Sequence, residues 1–391
     1  MLQNQEVFIE IGHNSHSKCG NSVSGDVLLT RKFEQGRVVS ILCDGLGSGV
    51  EANVLASFTA SMGIEYMSSD LQIKRAAELV MDALPLCPSR KISYSTFSIA
   101  DIGISGEVGV IEHGNPPFLF FRGERSIPSE HMELNRPRWR ERSLNYARFS
   151  TQVGDRLVMM SDGVTQAGMG SEAWPMGYGD EKVGELVQDS IAKNPDISAN
   201  ELATIICNTA LRIDGNKAGD DISCTVVYIR KPRKLRVLTG PPFDPRKDCE
   251  YASLIKNFNG RSVICGGTTA NIVERELGLE AEMDLSCMDP VVPAVSHMDG
   301  VELITEGCIT LSCLAELLEK NDRAESRNGA TLLRDLLLDC DVIEFYVGTR
   351  INQSHQDPAL PIELDIRRNV IKKIVSLLET KYLKEATIRY Y

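Results

Sequence analysis

The 391-residue chain has no Cys-x-x-Cys pair, no apolar run approaching the ~20 residues that span a bilayer, and a shortage of basic side chains. Its 42 Lys and Arg stand against 54 Asp and Glu, a formal net charge of −12. A chain this acidic lacks the general attraction to phosphate backbones and anionic lipid, which argues against nucleic acid and membrane surfaces as partners. The eleven cysteines are odd in number and scattered, several of them within apolar runs, as at Cys43, Cys207 and Cys265. That pattern disfavours zinc fingers and disulfide scaffolds and fits a reducing cytoplasm. The first ten residues, MLQNQEVFIE, carry no basic segment followed by an apolar one. No signal peptide is expected, and the reading is a soluble cytoplasmic protein. The six histidines form no HExxH pair and no GxxxxGK[ST] loop occurs, which sets aside zincin-type and P-loop chemistry.

What is present divides in two. A basic, proline-containing break, KPRK at 231–234, follows the β-rich run DISCTVVYIR, and a new strand-like segment, LRVLTG, comes after it. Domains are therefore expected at 1–232 and 235–391. Residues 235–391 hold 18 basic and 25 acidic side chains, leaving 24 and 29 before them, so neither part is a basic docking arm. In the first part GRVVSILC, KISYSTFSIADI, EVGVIEHG, FLFFRG and DRLVMM read as strands. Val54, Leu55, Phe58 and Met62 recur at helical spacing, and Ser198 with Glu201 forms a capping box opening another helix. The second part alternates the strands SVIC, VELIT and VIEFYVG with helices. Their stripes, Leu311, Leu314, Leu317 and Leu318, then Val370, Ile374, Leu377 and Leu378, mark core faces. This alternation predicts a smaller α/β domain with a partly parallel sheet.

The chemistry-bearing signal is a set of aspartates beside glycine at strand edges: Asp26 in VSGD, Asp44 in CDGLGSG, Asp162 in MMSDGV, and Asp220 with Asp221 in AGDDIS. Carboxylates closing apolar strands are costly unless paired or bound to a cation. Asp-Gly is also the commonest turn signal, so any one pair is weak. Taken together they suit oxygen-only ligation of Mg²⁺ or Mn²⁺ rather than zinc, with the glycines leaving room for water and a backbone carbonyl. His13 and His16 lie in a polar loop and read as solvated. Asp339 and Asp341 flank Cys340 at the end of a leucine-rich helix pattern, the wrong place for an aspartyl-phosphate nucleophile. In the second part Cys265, Gly266, Gly267, Thr268 and Thr269 join an apolar strand to a helix, either as a tight turn or as a cradle for an anion.

In order along residues 8–230, VSGD, ILCDGLGSGVEA, EHGNPPFLFFRG, VGDRLVMMSDGVTQA and GDDISCTVVYIR resemble the PPM/PP2C phosphatase superfamily and, within it, the bacterial SpoIIE branch. The resemblance implies an α-β-β-α sandwich with two Mn²⁺ or Mg²⁺ ions at one end. It matches Asp44 to an aspartate bridging both metals and Gly45 to a glycine whose carbonyl completes one shell. Asp162 and Asp220 match further metal-binding aspartates, Asp26 the acid of the GD motif, and Asp221 a ligand or the neighbour of one. The implied reaction is hydrolysis of phosphoserine or phosphothreonine on a bacterial regulatory protein. Asp44, Asp162 and Asp220 would act through the metals on a bridging water, with no covalent intermediate.

The chain also departs from that pattern. Gly114-Asn115 replaces Gly-His, and a Leu-Pro-Leu-Gly-type segment is replaced by HMELNRPRWRERSLNYARFS, with Arg138, Arg140 and Arg142 around Trp139. That stretch reads as a recognition insertion or as a solvated basic edge. The phosphate-binding arginine of eukaryotic relatives has no counterpart. An alternative is a regulatory or scaffold protein with a weakly active phosphatase-like half, its C-terminal half sensing a small anionic ligand at Gly266, Gly267, Thr268 and Thr269. No family resemblance extends to 235–391.

Overall fold

A computed structural model describes residues 7–33, 36–69, 71–84, 94–140, 142–284, 289–320, 327–350 and 360–391, side chains of 360–366 excepted. The chain divides into two compact units, Met1–Lys231 and Pro232–Tyr391.

The first unit runs β1 (Phe8–His16), β2 (Asp26–Lys32), β3 (Val38–Gly45), α1 (Val50–Ser68), α2 (Ile73–Ala83), β4 (Ser95–Ile102), β5 (Glu107–His113) and β6 (Leu119–Arg122). It continues with β7 (Arg125–Ser126), β8 (Met132–Asn135), β9 (Ser143–Ser150), β10 (Asp155–Met160), α3 (Asp162–Thr165), α4 (Asp180–Lys193), α5 (Ala199–Ile213) and β11 (Ile222–Arg230). Residues 91–93 of the expected strand KISYSTFSIADI lie outside the described residues. One sheet has the order β1-β11-β10-β6-β7 and the other β2-β3-β4-β5-β9-β8. Side chains alternate across each strand, so each sheet contributes to two cores. Val227 and Leu157 meet Ala100 and Val110 between the sheets. Val226 and Val158 pack outward against Leu202 and Ile206, while Ile41 and Phe97 pack against Ala56, Ala60 and Ile64. Three cores separate four layers, which is the α-β-β-α sandwich.

Two sequence features take on a different meaning here. The buried side of α1 is dominated by small residues, Ala52, Ala56, Ala60 and Gly63, with Ile64 and Met67 toward its end, which lets the helix lie close on its sheet. Val54 and Phe58, half of the helical-spacing set, are instead 60% and 61% exposed. Helical spacing established the helix but not which side it buries. The arginine segment is neither loose nor fully solvated. Trp139 is 1% exposed and its Nε1 donates to Asp82 Oδ1 on α2 at 2.8 Å, while Arg138 holds both oxygens of Asp82 at 2.6 and 2.7 Å. This insertion fastens the β8–β9 edge to α2.

The second unit runs β12 (Lys234–Thr239), α6 (Asp248–Lys256), β13 (Arg261–Cys265), α7 (Gly267–Leu277), β14 (Glu282–Asp284) and β15 (Val295–Met298). It continues with β16 (Val301–Thr305), α8 (Cys308–Lys320), α9 (Gly329–Asp339), β17 (Val342–Val347), α10 (Leu360–Thr380) and β18 (Glu385–Tyr390). Its sheet order is β14-β15-β16-β13-β12-β17-β18. The run from β16 to β18 is parallel, and β15 and β14 add an antiparallel edge. Helices α6 and α7 cover one face, α8, α9 and α10 the other, as a doubly wound sheet requires. Leu311, Leu314, Leu318, Ile374 and Leu378 are buried as their spacing predicts. Asp339 and Asp341 are structural: Asp339 pairs with Arg233 and Arg261 at 2.7 Å each, and buried Asp341 accepts from Arg233 N at 2.7 Å. Among the described residues no helix is long and apolar enough to cross a membrane, and the described cysteines are free thiols.

Replacing Trp139 by Ala removes a fully buried side chain and one of the donors to Asp82, whose oxygens Arg138 still holds. Unfolding of the first unit in urea should shift to lower denaturant, by ~3–5 kcal/mol for a Trp-to-Ala cavity. An unchanged midpoint would show that the insertion is not anchored through this residue.

Candidate metal centre

The strands bring the sequence-selected aspartates to one end of the sandwich. β2 begins and β3 ends there, and antiparallel register sets Asp26 directly opposite Asp44. At the same end Met160, which closes β10, pairs with Cys224 near the start of β11. Asp162 opens α3 just past β10, and Asp220 and Asp221 lie just before β11. Like charges opposite one another in a sheet repel, so this arrangement is unfavourable by itself.

Burial pushes the Asp26 carboxyl up to about 7, with Asp221 and Asp162 adding to the rise. The Ser161 and Ser223 hydroxyls are near enough to pull it partly back. Even so, neither oxygen of Asp26 accepts a hydrogen bond of ordinary geometry, although the residue is only 7% exposed. Asp44 is raised to about 8, by burial first and then by Asp26, Asp162, Asp220 and Asp221. Asp162 is also raised, by burial and by Asp220, against the Gly163 N–H, Gln166 and Lys18. Its Oδ2 accepts from Gln166 Nε2 at 2.9 Å.

Asp221 has a different task. Its Oδ1 accepts from Lys18 N at 2.9 Å and its Oδ2 from Gly25 N at 3.0 Å, so it pins both ends of the β1–β2 loop and thereby places Asp26. Lys18 is a residue that sequence reasoning passed over. Its Nζ lies 3.5 Å from Asp220 Oδ1, a half-exposed cation at the mouth of the acidic cluster. His13 and His16, expected in that polar loop, lie instead on β1, paired with Thr225 and Ile222 of β11, and the loop proper begins after them.

The glycines do not leave open space. A Cβ on Gly45 would lie 2.0 Å from Ala52 O, and one on Gly163 2.2 Å from Asp221 O. Each glycine lets another backbone press against an aspartate-bearing turn, which corrects the expectation of room for water. Among the described residues, no three His, Cys, Asp or Glu side chains form a ready-made cation shell. The donor set is nonetheless all oxygen, and the orphaned, buried oxygens of Asp26 fit a hard divalent cation that would draw the carboxylates together.

The cysteine nearest Asp26 and Asp44 is a poor nucleophile. Burial holds the Cys43 thiol well above its ordinary value, with Asp26 and Asp44 adding to the effect. Cys224 and Arg230 do have the Cys-x5-Arg spacing of a thiol phosphatase loop, but both lie on straight β11, ~20 Å apart at ~3.3 Å per residue.

The raised carboxyls bind protons more tightly in the folded chain than in the unfolded one, where aspartate titrates near 3.8. Between about pH 4 and pH 8 the folded state therefore holds the extra protons, and metal-free stability falls as pH rises. In chelator, the melting temperature should drop from about pH 5 to about pH 8, and Asp26→Asn should flatten that slope. A wild-type melting temperature independent of pH would contradict the geometry.

Known proteins resemble the first unit. The family model for Stage II sporulation protein E (SpoIIE) matches residues 34–230. Stage II sporulation protein E of Priestia megaterium is 23% identical over 223 residues, covering 57% of this chain and 36% of that protein. Its Bacillus subtilis (strain 168) counterpart is 22% identical over 222 residues, covering 56% and 26%. This chain thus spans about a third or less of the curated relatives it matches. The phosphatase domain of SpoIIE from Bacillus subtilis is 20% identical in its solved structure, covering 58% of this chain and 95% of that one with a TM-score of 0.43. Over residues 34–230, half of its length, the chain belongs to the SpoIIE family.

Proposed function

We propose that the first unit is a metal-dependent protein phosphatase of the PP2C type that hydrolyses phosphoserine or phosphothreonine on a bacterial regulatory protein. The observation that carries this reading is the buried, unpartnered Asp26 carboxyl facing Asp44 across the β2–β3 ladder. Asp26, Asp44, Asp162 and Asp220, with the Gly45 carbonyl, would hold two Mn²⁺ or Mg²⁺ ions. Such ions lower the pKa of a bound water and neutralise phosphoryl oxygens.

The chain's own residues do the rest. Asp221 fixes the loop bearing Lys18 and Gly25, so the acids keep their relative positions. Gln166 turns the Asp162 carboxylate through its 2.9 Å bond. Lys18, at the open edge, is placed to meet the phosphoryl group and takes the part of the absent arginine. Water would attack phosphorus directly, the P–O bond to the target side chain would break, and its oxygen would leave as the hydroxyl on taking up a proton, so no enzyme nucleophile is needed.

The test is Mn²⁺-dependent hydrolysis of a phosphoserine peptide. Asp44→Ala and Asp162→Ala should fall to the uncatalysed background. Asp221→Ala should lose 10–100-fold, roughly the cost of removing a residue that orients ligands. Full activity in both Asp44→Ala and Asp162→Ala would overturn the assignment.

A further inference from the structure

The second unit carries a polar cluster that the phosphatase reading does not use. At the carboxyl ends of its parallel strands Thr305, Cys265 and Thr239 are register neighbours in one row across β16, β13 and β12. Two residues earlier, the row of Leu303, Val263 and Val237 is apolar and packs beneath α8, α9 and α10. The apolar face therefore ends abruptly in hydroxyls and a thiol.

The Thr239 hydroxyl has no partner and the residue is 0% exposed. The same holds for Thr269 in the first turn of α7 and Thr310 in the first turn of α8. Buried hydroxyls are rarely left unbonded, because each forfeits its water without compensation. The three belong to one neighbourhood. Thr269 Oγ1 lies 3.7 Å from where a Cβ on Gly266 would sit, and Gly266 Cα is 3.7 Å from the corresponding point on Gly307, at the foot of α8. On the other side, Arg367 of α10 brings Nη1 to 2.7 Å from the Cβ position of Gly240, the residue after Thr239. Its Nε is buried without a partner among the described residues.

The position is also selective. In an open parallel sheet the usual ligand crevice lies where the strand order reverses, here between β12 and β17. Main chain closes that crevice: Gly348 N donates to Thr239 O at 2.8 Å and Arg350 N to Pro241 O at 3.2 Å. The unpartnered polar atoms lie instead on the β13 and β16 side and on Arg367. The donors there are a guanidinium, three hydroxyls and the N-terminus of α7, all suited to negative charge. Glu306 already lends a carboxylate to the α8 end, its Oε2 accepting from Ile309 N at 3.3 Å. Burial pushes the Cys265 thiol up to about 12, so it stays neutral and does not oppose an anion.

We propose that this carboxyl edge is a receptor site for a small oxyanion, a phosphate or carboxylate group borne by a metabolite, gripped by Arg367, Thr239, Thr269 and Thr310. It lies in a different unit from the aspartate end. The whole chain is titrated calorimetrically in chelator, so that no divalent ion recruits anions to the first unit. Inorganic phosphate is one arm and succinate the other. One of the two should bind, with slowed amide exchange confined to residues 265–270 and 307–311; the arm that binds identifies the chemistry. Arg367→Gln should weaken binding by about tenfold or more, as loss of a charged donor does.

Thr239→Val and Thr310→Val give an independent readout should the arginine variant fold poorly. Removing an unpartnered buried hydroxyl should raise the ligand-free melting temperature while weakening binding. Binding of neither anion, or equal binding by Arg367→Gln and both valine variants, would overturn the proposal. So would valine variants that melt lower and bind normally, since the hydroxyls would then be structural.

Discussion

Electrostatic repulsion between carboxylates is the constraint around which the first unit is arranged. Asp26 and Asp44 face each other across a two-strand ladder, and Asp162, Asp220 and Asp221 close in from the other sheet. A fold gains nothing from such a cluster unless protons or cations share it. The rest of the unit supplies the rigidity that holds the acids together. β11 is buried along its whole length, and three apolar cores lock the two sheets and their helices into register. Asp221 then converts that rigidity into loop position by accepting two backbone N–H groups.

Glycine makes the close packing around the acids possible. Gly45 and Gly163 follow Asp44 and Asp162, and at each a side chain would collide with backbone, that of Ala52 or of Asp221. The Asp-Gly pairs are therefore more than turns. They are places where an aspartate-bearing segment is pressed against a helix or a neighbouring strand. Further from the acids, Gly12 does the same for α5, since a Cβ there would lie 2.0 Å from Asn200 N. The second unit follows a different logic, with a parallel sheet that buries both faces and leaves its polar groups at the carboxyl edge.

Much of this was legible in the sequence because it rests on local pattern. β-branched runs ending in Asp-Gly announced β3 and β10, and leucine spacing announced α8. The order of five short motifs carried the sandwich, which no single strand could have done. What was not legible depends on tertiary contact. The sequence could not say that α1 buries alanines and exposes Val54 and Phe58, because both faces of that helix are apolar. Nor could it show that Arg138 and Trp139 seek Asp82, since that pairing joins residues more than fifty positions apart. Lys18 escaped notice because a lysine in a polar loop carries no signal until its neighbours are known. In the second unit Gly266, Gly267, Thr268 and Thr269 marked a strand-to-helix turn. Thr239, Thr310 and Arg367, drawn from three other elements, could be joined to it only through strand register and close backbone contact.

The central claim is that the acids share cations rather than protons when the protein works. Calorimetric titration of Mn²⁺ into the whole chain near pH 7, repeated in buffers of different ionisation enthalpy, measures the protons expelled as the metal enters. With Asp26 raised to about 7 and Asp44 to about 8, binding should release on the order of one proton per chain, and Asp26→Asn should reduce that release. Mn²⁺ binding without proton release, or release unchanged in Asp26→Asn, would place the cation elsewhere and contradict the account.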